Sequence, residues 1–187
     1  MRTMRSRFVF GTLRSNAVVL SRAAMRIDRR MPATQCGAVC GCAMAANALI
    51  DTGAMLALLD RSDRWHQLCV DTFRQLRLPL ATSEAVLTEL FHLVGDRRHE
   101  VEAAWRLVRS GAIVLASIEN SELLALQTLM SRYADCPMDF ADATLVYLAK
   151  REELSTIFTV DHGDFETYRI HGRRRFRVLP TSRPGRH

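Results

Sequence analysis

Short apolar runs alternate along this chain with stretches of helical periodicity, and that alternation leaves few folds open. Asn47–Asp51, Leu78–Ala81, Ala112–Ala116 and Leu154–Val160 read as short buried strands, and Phe176–Leu179 as a fifth at an edge. Pro79 has no N–H to give a ladder, which places Leu78–Ala81 at an edge or weakens it. In Trp65–Leu76 the residues Cys69, Phe73 and Leu76 recur at spacings of four and three, the stripe of an amphipathic helix. Thr82-Ser83 caps a helix starting at Glu84, striped by Val86, Leu87, Leu90, Phe91 and Val94 and ended by Gly95-Asp96. Ala54–Leu59 and Glu100–Arg109 predict two more helices, Asn120 is placed to cap another, and Phe140–Arg151 is the most apolar of all. Strands and helices in this order predict an α/β fold with a mostly parallel sheet covered on both faces.

Acids stand at the ends of these elements, where a hydrophobic core would not ask for them. Asp51 closes the first strand, Asp161 follows the fourth in Thr159-Val160-Asp161, and Pro137-Met138-Asp139-Phe140-Ala141-Asp142 leads into the most apolar helix. Sites in open α/β sheets form beyond the carboxyl ends of the strands, which brings Asp51 and Asp161 to one edge. Asp139 and Asp142 are three apart and share a face of a helix N-terminus, whose dipole favours negative charge. Glu89 lies mid-helix and reaches the same edge if that helix flanks it. Carboxylates gathered in one cleft repel one another more strongly as they are desolvated. A divalent cation relieves the repulsion, and all-oxygen donors suit magnesium or manganese. Such an ion lowers the pKa of a bound water and neutralises a phosphate, as phosphodiester hydrolysis requires. On this reading Asp51, Glu89 and Asp142 contact the ion directly or through water, and Asp161 completes the cage or holds a second ion. Asp139 is a ligand or an N-cap, and the Thr159 hydroxyl holds a water or the Asp161 carboxylate. Singly, each feature has a bland reading: Asp51-Thr52 as an Asx turn, Glu89 as a solvated helix residue, Asp161-His162-Gly163 as a turn. Their joint order is what points to a site.

Charge narrows the partner. The formal net charge is +6, but residues 1–43 carry eight arginines against one acid, and residues 172–187 carry six arginines and no acid. Residues 44–171 hold 12 basic and 19 acidic side chains, so the body is acidic. Such a body does not draw RNA by its own net charge; it needs cations in the site, basic tails or a local arginine patch. Arg173–Arg177 is either a phosphate-binding run with salt-sensitive affinity or a solvated tail. Five cysteines at irregular spacing argue against a disulfide framework and for a reducing cytosol. The cluster Cys36, Cys40 and Cys42 lacks the four convergent ligands of a structural zinc site. There is no glycine-rich phosphate loop and no serine or cysteine flanked by an evident base. Met31–Ile50 carries no charge, yet Pro32, Gly37, Gly41 and Asn47 dilute it below a signal peptide or membrane span. Residues 1–43 are expected to be a poorly ordered extension, or to precede a true start at Met44. Residues 44–180 form the domain and 181–187 a basic tail.

Ala48-Leu49-Ile50-Asp51-Thr52-Gly53, Thr82-Ser83-Glu84 through Glu89-Leu90, Pro137 to Val146, and Thr159-Val160-Asp161 with Asp164-Phe165 together resemble the PIN domain. The likeness spans about residues 46–180 and is strongest to the VapC-type ribonuclease toxins of bacterial toxin–antitoxin pairs. The resemblance implies a three-layer α/β/α sandwich, a magnesium- or manganese-dependent RNA endonuclease, homodimers, and a small antitoxin that occludes the cleft. Carried over by position, its acids are Asp51, Glu89, Asp142 and Asp161, with Asp142 matching the third acid better than Asp139. No acid is lost, which disfavours the alternative of a non-catalytic RNA- or protein-binding module on the same fold. An Asp-x-Asp phosphatase is strongly disfavoured because Asp51-Thr52-Gly53 lacks the second acid.

Overall fold

Residues 46–136 and 138–184 are described by the structure, a computed structural model; the expectations for residues 1–43 and for a start at Met44 lie outside them. The chain enters through β1 (Leu49–Ile50), α1 (Thr52–Leu59), α2 (His66–Gln75) and β2 (Leu80–Thr82). It continues through α3 (Glu84–Val94), α4 (Arg98–Val108), β3 (Ile113–Leu115) and α5 (Leu123–Arg132). Then come α6 (Phe140–Arg151), β4 (Thr156–Phe158), α7 (His162–Thr167), β5 (Arg169–Ile170), β6 (Arg174–Arg175) and β7 (Arg177–Leu179).

Five strands lie side by side in the order β3-β2-β1-β4-β7, every pair parallel. Successive side chains on a strand point to opposite faces. Both residues of β1 and all three of β2 are nevertheless buried, so helices cover the sheet on both sides and the architecture is a three-layer α/β/α sandwich. β5 and β6 form a separate antiparallel hairpin. The core helix is α6: seven of its residues are buried, among them Ala143, Leu145 and Leu148, as its apolar sequence requires. Its buried Thr144 hydroxyl meets that of Ser83 at 2.7 Å, tying α6 to the N-cap of α3.

Two local expectations are corrected. β2 is an interior strand, between β1 and β3. Pro79 stands just ahead of it, where its carbonyl accepts the Asn47 N–H at 3.1 Å and its missing N–H takes nothing from the ladder. Asn120 is not a helix cap. It opens a 3-10 turn, Asn120–Glu122, whose capping box is made by Glu119 and Glu122. The fifth strand does sit at the edge, paired with β4 through Ile157 and Val178.

One glycine fixes how closely the first helix approaches the end of β4. A Cβ on Gly53 would come within 2.7 Å of Val160 Cγ2. Val160 is β-branched and stiff at χ1, so it cannot swing away cheaply. Gly53→Ala is therefore expected to lower stability by about 1–3 kcal/mol in a denaturant titration. An unchanged midpoint would show that the contact is not tight in solution.

Candidate active site

The strand order reverses between β1 and β4, since β2 and β3 extend the sheet one way from β1 while β4 and β7 extend it the other. Ligands in open α/β sheets bind beyond the carboxyl ends of the strands at such a switch point. Asp51 follows β1 directly, and Thr159 follows β4 directly. The two meet across the crevice: the Thr159 hydroxyl donates to Asp51 Oδ2 at 2.8 Å. Thr159 Oγ1 in turn accepts the Asp161 N–H at 2.9 Å, so Thr159 holds the Asp51 carboxylate and not that of Asp161. Asp51 Oδ1 accepts the Thr52 N–H at 2.7 Å as the N-cap of α1. Both oxygens are thus aimed by neutral donors.

Glu89 does reach this edge. Thr52 Oγ1 lies 2.8 Å from Glu89 Oε2, so one threonine bridges the end of β1 to the middle of α3. Asp142 is half-buried, and its Oδ2 accepts the Tyr168 hydroxyl at 3.1 Å. Asp139 caps α6: its Oδ1 accepts the Asp142 N–H at 2.8 Å. Asp161 is exposed and caps α7, with Oδ1 3.3 Å from the Asp164 N–H.

Burial and crowding of like charge show in the protonation of these groups. Desolvation, outweighing the bonds from Thr159 and Thr52 and helped by Glu89 and Asp139, pushes Asp51 from 3.8 to about 6. Burial first, then the charges of Asp139 and Asp51, pushes Asp142 to about 8. Asp164 is raised as well, by burial and then by Asp161 and Asp139. Burial and the neighbouring Asp142 raise the Tyr168 hydroxyl, which keeps it a donor. Among the described residues, no Arg, Lys or His forms an ion pair with Asp51, Glu89, Asp139, Asp142 or Asp164. The negative charge is therefore uncompensated by protein, and its donors are all oxygen, as a hard divalent cation prefers. Among the described residues, no three Asp, Glu, His or Cys side chains stand close enough as placed to cage an ion by themselves.

Three residues of this site had no role assigned from the sequence. Thr52 looked like part of a turn, although an Asp-Thr pair at a strand end is itself the local signal. Asp164, three residues after Asp161, joins the field acting on Asp142. Tyr168 carries no local signal at all, because only packing brings it to Asp142.

A family model for the PIN domain matches residues 48–170. The chain belongs to the PIN-domain family. Within the family it groups with the VapC ribonucleases: Ribonuclease VapC26 of Mycobacterium tuberculosis is 33% identical over 135 residues, covering 71% of this chain and 99% of that protein. The crystal structure of M. tuberculosis VapC20, described as a sarcin-ricin loop cleaving toxin, superposes with a TM-score of 0.56. That match covers 62% of this chain and 90% of VapC20, and at 19% identity it bears on the fold alone. The acids of this PIN domain thus lie within a fold shared with a solved toxin, and all six from Asp51 to Asp164 fall inside the matched 48–170 segment.

Proposed function

We infer that this PIN domain is an endoribonuclease that hydrolyses RNA phosphodiester bonds as the toxin of a VapC-type pair, held in check by a small antitoxin. The observation that carries the reading is the uncompensated pair of buried Asp51 and half-buried Asp142 at the switch point of the sheet, in a chain 33% identical to a named ribonuclease.

Asp51, Glu89 and Asp142 would hold a magnesium or manganese ion, with Asp161 and Asp164 at the rim completing the cage or serving a second ion. Magnesium keeps several waters and takes only one or two carboxylates directly, which suits acids that do not close a cage by themselves. Bound there, the ion supplies a water of lowered pKa and charge neutralisation at the scissile phosphate. The protein's own part is orientation. Thr159 and the Thr52 N–H fix the two oxygens of Asp51, the Thr52 hydroxyl holds Glu89, and Tyr168 holds Asp142. Asp139, locked as a cap, adds negative charge behind Asp142 and is an auxiliary group.

The chain is further proposed to act as a homodimer in the cytoplasm. Trp105, 49% exposed and tilted against Phe91 with ring centroids 4.6 Å apart, offers apolar surface to a partner. Among the described residues no helix is long and apolar enough to cross a membrane.

Purified chain, freed of any partner, is expected to cleave RNA with Mg²⁺ or Mn²⁺ and to stop on chelation. Sequencing of cellular RNA ends after induction, compared with Asp51→Asn, would then identify the target. Absence of metal-dependent cleavage against a broad RNA panel would sink the reading in favour of a non-catalytic binding module.

A further inference from the structure

We propose that the groove between α5, α6 and the β5–β6 hairpin carries the RNA strand away from the acidic centre, with Arg132, Lys150 and Arg175 bound to its phosphates. This rests on the nuclease reading for the direction of the strand; the groove's affinity for RNA stands apart from it.

The groove encloses about 600 Å³ and no acid lines it. Its floor includes Val146 and Tyr147, and its walls carry Arg132, Lys150 and Arg169. In a body that is otherwise acidic, this is a local reversal of sign. It is also aligned with the candidate site. Asp142, Val146 and Lys150 recur every four residues along α6 and so share one face. At 1.5 Å per residue, Lys150 lies about 12 Å along the helix from Asp142. Tyr168, which holds Asp142, is followed immediately by Arg169 at the start of the hairpin. A strand seated at Asp142 thus meets the groove at Val146, about 6 Å along the helix, and Lys150 about 12 Å along it.

The hairpin supplies a second, independent observation. Arg169 and Arg175 are direct cross-strand partners, so their side chains share a face. Like charges placed directly opposite destabilise a hairpin, and an anion between them removes that cost. Arg169 Nη1 is turned to the carbonyls of Glu166, Thr167 and Tyr168, which leaves Arg175 as the outward cation of the pair. Across the groove, a Cβ on Gly172 would stand 3.6 Å from Arg132 Nη1, so α5 closes against the hairpin with its guanidinium at the rim. Arg132, Lys150 and Arg175 form no ion pair with a carboxylate among the described residues. Free cations over an apolar floor fit a single strand, whose phosphates take the charge while ribose and base faces cover the floor.

The test uses full-length Asp51→Asn as the parent, so that RNA is bound without being cut. Binding of a fluorescent single-stranded RNA is followed by anisotropy across a salt series, for the parent and for the same chain carrying Arg132→Ala, Lys150→Ala and Arg175→Ala. The triple variant is expected to bind at least about tenfold more weakly, with the slope of log K against log salt reduced by about 2, since each phosphate contact on a single strand contributes about 0.7. Equal affinity and equal slope overturn the proposal. If the triple variant fails to fold, Lys150→Gln alone, at an exposed position, is expected to reduce the slope by about 0.7, and an unchanged slope there is equally fatal. A parent that binds phosphatidylglycerol vesicles but not RNA also overturns it, in favour of a lipid surface. Wild-type chain that cuts no RNA, beside a parent whose RNA binding depends on the groove, rejects the nuclease reading and keeps the groove.

Discussion

Asp142→Asn is expected to lower metal-dependent RNA cleavage by more than about 100-fold while leaving the fold intact. Loss of a group that merely orients a metal ligand already costs about 10- to 100-fold, and Asp142 is proposed to face the ion itself. The amide keeps the shape of the carboxylate, and its oxygen still accepts the Tyr168 hydroxyl. It removes a charge that burial, Asp139 and Asp51 all oppose. Asp51→Asn is expected to match it, with the Thr52 N–H still accepted by the amide oxygen. Asp139→Asn should cost far less, because an asparagine caps a helix about as well as an aspartate. The comparison is made on purified variants with matched circular dichroism. Activity that survives Asp142→Asn but not Asp139→Asn would reverse the roles assigned to the two acids. In cells, toxicity on expression should vanish with Asp51→Asn; toxicity that persists would point to another mechanism.

Metal-free protein should be markedly more stable at pH 5 than at pH 8.5. Asp51 and Asp142 bind protons more tightly in the folded chain, at about 6 and about 8, than at their ordinary 3.8. Their contribution to stability is fully present below about pH 4 and is lost as pH rises through about 6 and then about 8. For Asp51 alone the difference between 3.8 and about 6 is worth at most about 3 kcal/mol. Only the part between pH 5 and about pH 6, about 1.4 kcal/mol, falls inside this comparison, and in a chain of this length it corresponds to a fall in Tm of roughly 3–6 °C. Mg²⁺ or Mn²⁺ at millimolar concentration should restore most of the loss at pH 8.5, because an ion bound only by the folded state stabilises it by mass action. Asp51→Asn with Asp142→Asn should flatten the pH profile and abolish the metal effect. A double variant that keeps the parent's profile would place the linkage in other groups.

How much of this was legible before the structure depends on range. The period of the apolar residues named the elements, and α6 begins and ends where its pattern did, at Phe140 and Arg151. Strands came out shorter than their apolar runs. The run at Leu154–Val160 yields only Thr156–Phe158, because a strand is defined by the neighbour it pairs with. The interior place of β2 was hidden by Pro79, whose effect on a ladder depends on whether it falls inside the strand or one residue ahead of it. The spacing of Asp139 and Asp142 posed a choice between cap and ligand; cap geometry shows Asp139 as the N-cap of α6, and the ligand role of Asp142 is a proposal.

By itself the sequence determined the alternation of elements, the acids at their ends and the basic character of the terminal segments, because periodicity, capping and composition act over a few residues. Tertiary structure alone decided that Thr159 holds Asp51 across 108 positions, that Thr52 bridges to Glu89, and that Tyr168 and Asp164 surround Asp142. Those contacts depend on which strands become neighbours, and neighbour choice follows from burying the whole apolar surface at once, a property no local window contains.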